Sequence, residues 1–220
     1  MINIEKNIKF KNKINKKVLI FDLDGVLVDS KINMKKAWAA VQKKFNFQEK
    51  KFRDYFSKIG QPFNIILSQL SILNNHKQIK KCYDSNSIKN LEIVKFYPKT
   101  IKELKWLYSK NFHLCIVTSK DKIRTNLMLG DAKKLFSIIQ CPQKNLIGKP
   151  YPDQILNVIK KLNVKKKDCV YIGDTNIDYL SAKNAKIDFI FAEWGYGPNH
   201  NYKLTIKNIA KLKSLLQFYK

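Results

Sequence analysis

Histidine, cysteine and arginine are scarce in this chain, and each scarcity closes a route. The four cysteines, Cys82, Cys115, Cys141 and Cys169, lie far apart and form no CxxC pair. Neither a disulfide framework nor a zinc site is expected, and a reducing, cytoplasmic setting fits best. The three histidines, His76, His113 and His200, are equally scattered and offer no metal cluster. Long apolar runs are missing as well. The longest candidate, Val18 to Val28, is broken by Asp22 and Asp24, whereas spanning a bilayer takes roughly 20 apolar residues. No membrane partner is expected. Met1 to Lys17 mixes Lys and Asn without an apolar stretch, so it does not read as a secretion signal.

Acidic residues are few: 17 against 43 basic ones, for a net charge of +26. Such a balance raises the question of a nucleic-acid partner. Only Arg53 and Arg124 are arginines, however, and the lysines are spread along the whole chain. Reading base edges favours the arginine fork, and a nucleic-acid footprint is a clustered one. No specific nucleic-acid partner is expected.

What the chain has is a hydrophobic share of 45% over 220 residues, enough for one large core or a core with a smaller insertion. Strand and helix patterns alternate, which predicts an α/β fold with a parallel sheet. The run from Lys17 to Phe21 predicts a buried first strand ending at Asp22. Further strands are expected at Leu114–Thr118, Phe136–Gln140, Cys169–Gly173 and Asp188–Ala192. Helices are expected over Thr100–Ser109 and Asp121–Leu129, from near Pro152, and at the end, where Ile209, Leu212, Leu216 and Tyr219 share a face. Between Lys31 and Phe96 the spacing is helical throughout. Met34, Ala37, Trp38, Val41 and Phe45 form one stripe, and Phe63, Ile66, Leu67 and Leu70 another. The expected organisation is a basic N-terminal segment over residues 1–16, a Rossmann-like core over 17–30 and 98–220, and an inserted helical cap over 31–97.

The polar residues that interrupt this pattern fall at strand ends: Asp22-Leu-Asp24-Gly25, Thr118-Ser119, and Gly173-Asp174 with Asp178 one turn later. Open parallel sheets bind ligands beyond the carboxyl ends of their strands. Asp22 and Asp24 are two residues apart and share a strand face. With Asp174 they make an anionic pocket that asks for a cation, and all-oxygen ligands favour a hard ion such as Mg²⁺. Plainer readings stand beside these. The Asp22–Asp29 run is turn-rich, Thr118 has the makings of a helix N-cap, and Asp178 suits a first helical turn. The loop Trp194-Gly-Tyr-Gly197 either borders the pocket or is structural.

Asp22-Leu-Asp-Gly-Val-Leu-Val-Asp-Ser30 resembles the first motif of the haloacid dehalogenase-like hydrolases. Thr118 fits their second motif, Lys149 in Gly148-Lys-Pro-Tyr-Pro-Asp153 the third, and Gly173-Asp-Thr-Asn-Ile-Asp178 the fourth. The helical insertion resembles the cap of the branch holding phosphoglycolate phosphatase and β-phosphoglucomutase. The resemblance implies a Mg²⁺-dependent phosphatase acting on a small phosphorylated metabolite, phosphoglycolate or a sugar phosphate. It implies Asp22 as nucleophile and Asp24 as acid and base. It implies Mg²⁺ on the Asp22 carboxylate, the Asp24 backbone carbonyl and Asp174, with Asp178 supporting the shell through water or by orienting Lys149. Thr118, the Ser119 amide and Lys149 would hold phosphoryl oxygens, and Gly25 would let the backbone approach them. A phosphomutase shares the Asp pair and is the alternative. A nucleic-acid-binding protein on a disused core is the alternative of another class. A monomer or homodimer is expected. Family members often carry a basic residue in the cap near Gly60, and Gly60-Gln-Pro-Phe63 has none directly after the glycine.

Overall fold

The computed structural model describes residues 16–216. The basic segment expected over residues 1–16 lies outside them apart from Lys16, and so does Tyr219. The chain opens with strand β1 (Val18–Phe21), a turn, and the short strand β2 (Val28–Asp29). Four helices follow: α1 (Lys31–Phe45), α2 (Phe52–Phe56), α3 (Phe63–Gln69) and α4 (His76–Lys89). Strand β3 (Lys95–Phe96) then leads to α5 (Thr100–Ser109), β4 (His113–Val117), α6 (Lys122–Leu129), β5 (Ile138–Gln140) and α7 (Asp153–Leu162). The last part comprises β6 (Cys169–Gly173), α8 (Asn176–Ala185), β7 (Asp188–Ala192), β8 (Thr205–Ile206) and α9 (Leu212–Leu215).

Six strands form one parallel sheet in the order β5-β4-β1-β6-β7-β8. The chain builds outward from β1 on one side, then returns to start again at β6 on the other. That reversal is the switch point at which parallel sheets open a crevice. Strand alternation sorts β1 between two layers. Leu19 and Phe21 pack with Leu104, Leu107, Leu212 and Leu215, while Val18 and Ile20 pack with Ile155, Val158, Ala182 and Ala185. Both faces are covered, which is why β1, β4 and β6 read as near-continuous apolar runs.

Helices α1 to α4 hold a separate apolar cluster, with Met34, Ala37, Trp38, Val41, Tyr55, Ile66, Leu67, Leu70, Ile79 and Tyr83 at its centre. It contains both expected stripes, with Phe45 and Phe63 packed at its margin. At its base, β2 and β3 pair antiparallel, Val28 with Phe96 and Asp29 with Lys95.

Three expectations need correction. The stretch before Phe96 is not wholly helical, since β3 lies within it. Two residues are too short to show an alternation. For the same reason β8 has no counterpart among the expected strands. The final helix is broken: residues Ile209–Lys211 form a 3₁₀ turn before α9. Ile209, Leu212 and Leu216 are nonetheless all buried.

Candidate active site

The expected strand ends converge. Asp22 follows β1 directly, and its amide donates to Ile172 O of β6 at 2.9 Å. Thr118 follows β4 and is 1% exposed. It does not cap α6. Asp121 does, accepting from the Arg124 amide at 3.0 Å. Thr118 instead accepts from the Lys120 amide through Oγ1 at 3.1 Å.

Lys149 comes from the loop between β5 and α7 and is buried at 1% exposure. Its ammonium donates to Asp22 Oδ1 at 2.6 Å and to Asp178 Oδ1 at 2.7 Å. A lone buried ammonium would shed its proton. Here the carboxylates outweigh burial, and the Lys149 pKa is pushed up from its ordinary value. The Asp22 pKa rises too, which for a carboxyl favours the neutral form. Burial raises its carboxyl to about 7, with Lys149 pulling down and Asp178 and Asp24 pushing further up.

Asp178 sits in the first turn of α8 and forms a capping box with Thr175. Its Oδ1 takes Lys149 and the Tyr171 hydroxyl. Its Oδ2 takes the Asp174 and Thr175 amides and the Thr175 hydroxyl. Five donors saturate a carboxylate with about four lone-pair sites. Asp178 thus contacts Lys149 directly.

Asp174 is fully buried, and its carboxyl is raised well above the usual range by burial and by the charges of Asp178 and Asp22. Oδ2 accepts the Tyr196 amide at 2.7 Å, while Oδ1 has no hydrogen-bond partner. One oxygen each of Asp22, Asp174 and Asp178 lie within 4.8 Å of one another. An orphaned carboxylate oxygen in an all-oxygen cluster is what a hard divalent cation fits. Asp24 is turned aside from this cluster. Its Oδ1 accepts the Ser30 hydroxyl and lies 3.3 Å from Lys120 Nζ.

The loop after β7 is part of the site. Tyr196 reaches Asp174 through its amide and accepts the Ser30 amide on its hydroxyl at 2.7 Å. A Cβ at Gly195 would meet Asp174 Cβ at 2.1 Å, so the backbone wraps the carboxylate closely. Gly25 has φ +89°, which favours glycine, and a Cβ there would meet Asp174 Oδ2 at 2.1 Å. Its smallness thus makes room for Asp174, a reason different from the phosphate approach expected of it.

A cavity of about 40 Å³ lies over these groups, lined by Asp22, Asp24, Thr118, Ser119, Lys120 and Thr175 from below and by Met34, Ile59 and Gly60 from the cap. The Ser119 hydroxyl donates to Gly60 O at 2.6 Å, joining the two sides. Of the Gly60–Phe63 turn, Gly60 lines the cavity, while Gln61 pairs with Gln69 and Phe63 packs on Tyr83. Lys120 escaped sequence reading. It is 7% exposed, and burial lowers its pKa. Among so many lysines only its place two residues after Thr118 could have marked it.

The comparisons agree with this architecture. A family model described as haloacid dehalogenase-like hydrolase matches residues 19–192. The phosphoglycolate phosphatase of Colwellia psychrerythraea is 28% identical over 200 residues, covering 82% of this chain and 86% of that one. The pyrophosphatase PpaX of Oceanobacillus iheyensis is 22% identical over 180 residues, covering 81% and 84%. Among solved structures, a hydrolase from Pseudomonas syringae superposes with TM-score 0.80 at 24% identity, covering 90% of this chain and 96% of that one. With its motifs gathered at one switch point and a family model matched over most of its length, the chain belongs to the haloacid dehalogenase-like hydrolases.

Proposed function

We propose that this protein is a phosphatase that releases phosphate from a small phosphate monoester through an aspartyl-phosphate on Asp22. The single observation that carries this reading is the placement of Lys149 between Asp22 and Asp178 at the switch point, with Asp22 lining a cavity beside Thr118 and Lys120. Phosphoryl transfer needs positioning and neutralised charge more than covalent machinery. A carboxylate nucleophile with an ammonium at 2.6 Å, backed by a second carboxylate, supplies both.

The proposed steps use these groups. An Asp22 oxygen attacks phosphorus, and the bond from phosphorus to the leaving oxygen breaks. Asp24 gives its proton to that oxygen, then takes one from the incoming water. Water attacks phosphorus, the bond to Asp22 breaks, and phosphate departs. Thr118, the Ser119 amide and Lys149 hold the phosphoryl oxygens. Asp22, the Asp24 carbonyl and Asp174 would hold Mg²⁺, with Asp178 fixing Lys149. When bound, the ion would neutralise phosphoryl charge and favour the ionised form of Asp22. The cap, residues 31–97, closes the cavity and selects the leaving group.

Relatives named phosphoglycolate phosphatase and pyrophosphatase make the monoester phosphoglycolate the first substrate to test, with the anhydride pyrophosphate beside it as the comparison, followed by sugar phosphates. The test is phosphate release from such a panel, with p-nitrophenyl phosphate as generic ester, in the presence of Mg²⁺. We expect release from at least one small substrate. Turnover of none would overturn the reading. A phosphorylated sugar product in place of free phosphate would move the assignment to a phosphomutase.

A further inference from the structure

The described residues hold only two arginines, and their surroundings differ sharply. The side chain of Arg53 is 91% exposed, whereas that of Arg124 is 7% exposed. Arg124 lies in the first turn of α6, just after the loop carrying Thr118, Ser119 and Lys120. Its Nε donates to Asp121, the N-cap of its own helix. Its Nη2 lies 2.9 Å from Asp84 Oδ1 on α4, in the cap, an ion pair without hydrogen-bond alignment, while Asp84 Oδ2 accepts from Lys80. Its guanidinium carbon sits 5.4 Å from the ring centre of Tyr83, also on α4. Tyr83 in turn accepts the Tyr55 hydroxyl at 2.9 Å inside the cap cluster.

One planar cation therefore bridges the two bodies. It hydrogen-bonds Asp121 on the core side, forms an ion pair with Asp84 on the cap side, and turns its face to a cap ring. A lysine cannot do this. Its ammonium is a point charge, without a second rigid donor or a flat face to stack. That an arginine stands here, in a chain whose basic residues are otherwise almost all lysine, matches the geometric demand. Asp121 anchors the far end of the loop that lines the cavity, so seating the cap and setting that loop are mechanically one event.

We propose that Arg124 is a positioning residue that latches α4 of the cap to the phosphate-side loop, residues 118–121, through Asp84 and Asp121. The closed arrangement then depends on the fork as a unit. Its role in turnover rests on the phosphatase reading, but its role in closure does not.

The experiment attaches a fluorophore pair at Leu73→Cys in the cap and Tyr151→Cys in the core. Both positions are exposed, while the four native thiols are buried. Single-molecule energy transfer then reads the closed-to-open ratio without substrate. Arg124→Lys should lower that ratio on the order of tenfold, and Asp84→Asn comparably, with the double variant no lower than either single one, since contacting partners are non-additive. An unchanged ratio in Arg124→Lys, or singles whose effects simply add, would overturn the latch. If Arg124→Lys fails to fold, Asp84→Asn alone carries the same expectation, and an unchanged ratio there overturns it. With the best metabolite, both variants should raise KM several-fold more than they change kcat, and the reverse split would overturn the positioning role. A wild type that closes normally but turns over no substrate would strike the phosphatase reading and leave the latch standing.

Discussion

The two sides of the cleft are built from opposite materials. The cap interior is aromatic: Trp38 stacks on Tyr55 at 4.5 Å between ring centres, and Tyr55, Phe63 and Tyr83 pack around it. The core side buries three carboxylates and two ammonium groups within one small region. Ring packing gives a body that holds its shape without charge, while clustered carboxylates stay together only with cations among them. On the proposed function, chemistry belongs to the core and selection to the cap, and the following experiments would break or sharpen that division.

The largest effect is expected from the ion. A chelator should abolish phosphate release and Mg²⁺ should restore it, while Ca²⁺, which tolerates a looser shell, should support it poorly. Full turnover in excess chelator, read by phosphate release, would end the division at its root.

Next comes Lys149→Ala. It leaves Asp22 and Asp178 buried without their shared cation, so stability should fall by about 3–5 kcal/mol and activity should vanish. Chemical denaturation measures the first and the phosphate assay the second. A folded variant of wild-type stability would mean that the buried pairing contributes little.

A smaller effect concerns pH. The folded Asp22 pKa is about 7, above its ordinary 3.8, so the native state binds the proton more tightly than the unfolded chain. Stability of the metal-free protein should therefore fall as pH rises from about 4 to about 7, and stay low above that. Asp22→Asn removes the cost of ionising this group. Without metal at pH 8 it should be more stable than wild type by about 1–3 kcal/mol, and its pH slope through that window should be flatter. Thermal melts of both proteins in chelator decide this, and parallel slopes would contradict it.

The smallest effect belongs to the cap. Ile59→Ala, at the cavity roof, should shift the ratio of kcat/KM between the best metabolite and p-nitrophenyl phosphate by about tenfold. Equal loss on both substrates would make the roof part of the catalytic machinery.

The same contrast governs what was legible in the sequence. Asp22, Thr118 and Asp174 stood out because each follows an apolar strand at its end, with Asp178 one turn beyond, and strand ends meet at the switch point. Lys149 needed its Gly-Lys-Pro setting, because lysine identity alone carries no information in this chain. The cap stripes were legible as helical periodicity, yet periodicity says only which residues face the cap's own core. It could not say that Ile59 and Met34 would line the cavity while Gln61 and Phe63 turned away. Nor could it show Tyr196 holding Asp174 or Arg124 reaching Asp84. Those contacts join segments 22 and 40 residues apart, and no local spacing encodes them. The ribbon β2–β3 and strand β8 were missed because two residues cannot display a period.

The most direct test of the central claim is to find the phosphoryl group on the enzyme. Wild-type protein mixed with a turnover substrate and Mg²⁺, quenched in acid and digested, should yield a phosphorylated peptide carrying Asp22. The modification should be labile to hydroxylamine and absent from Asp22→Asn. Steady turnover with no such adduct, or an adduct mapped to another residue, would contradict covalent catalysis at Asp22.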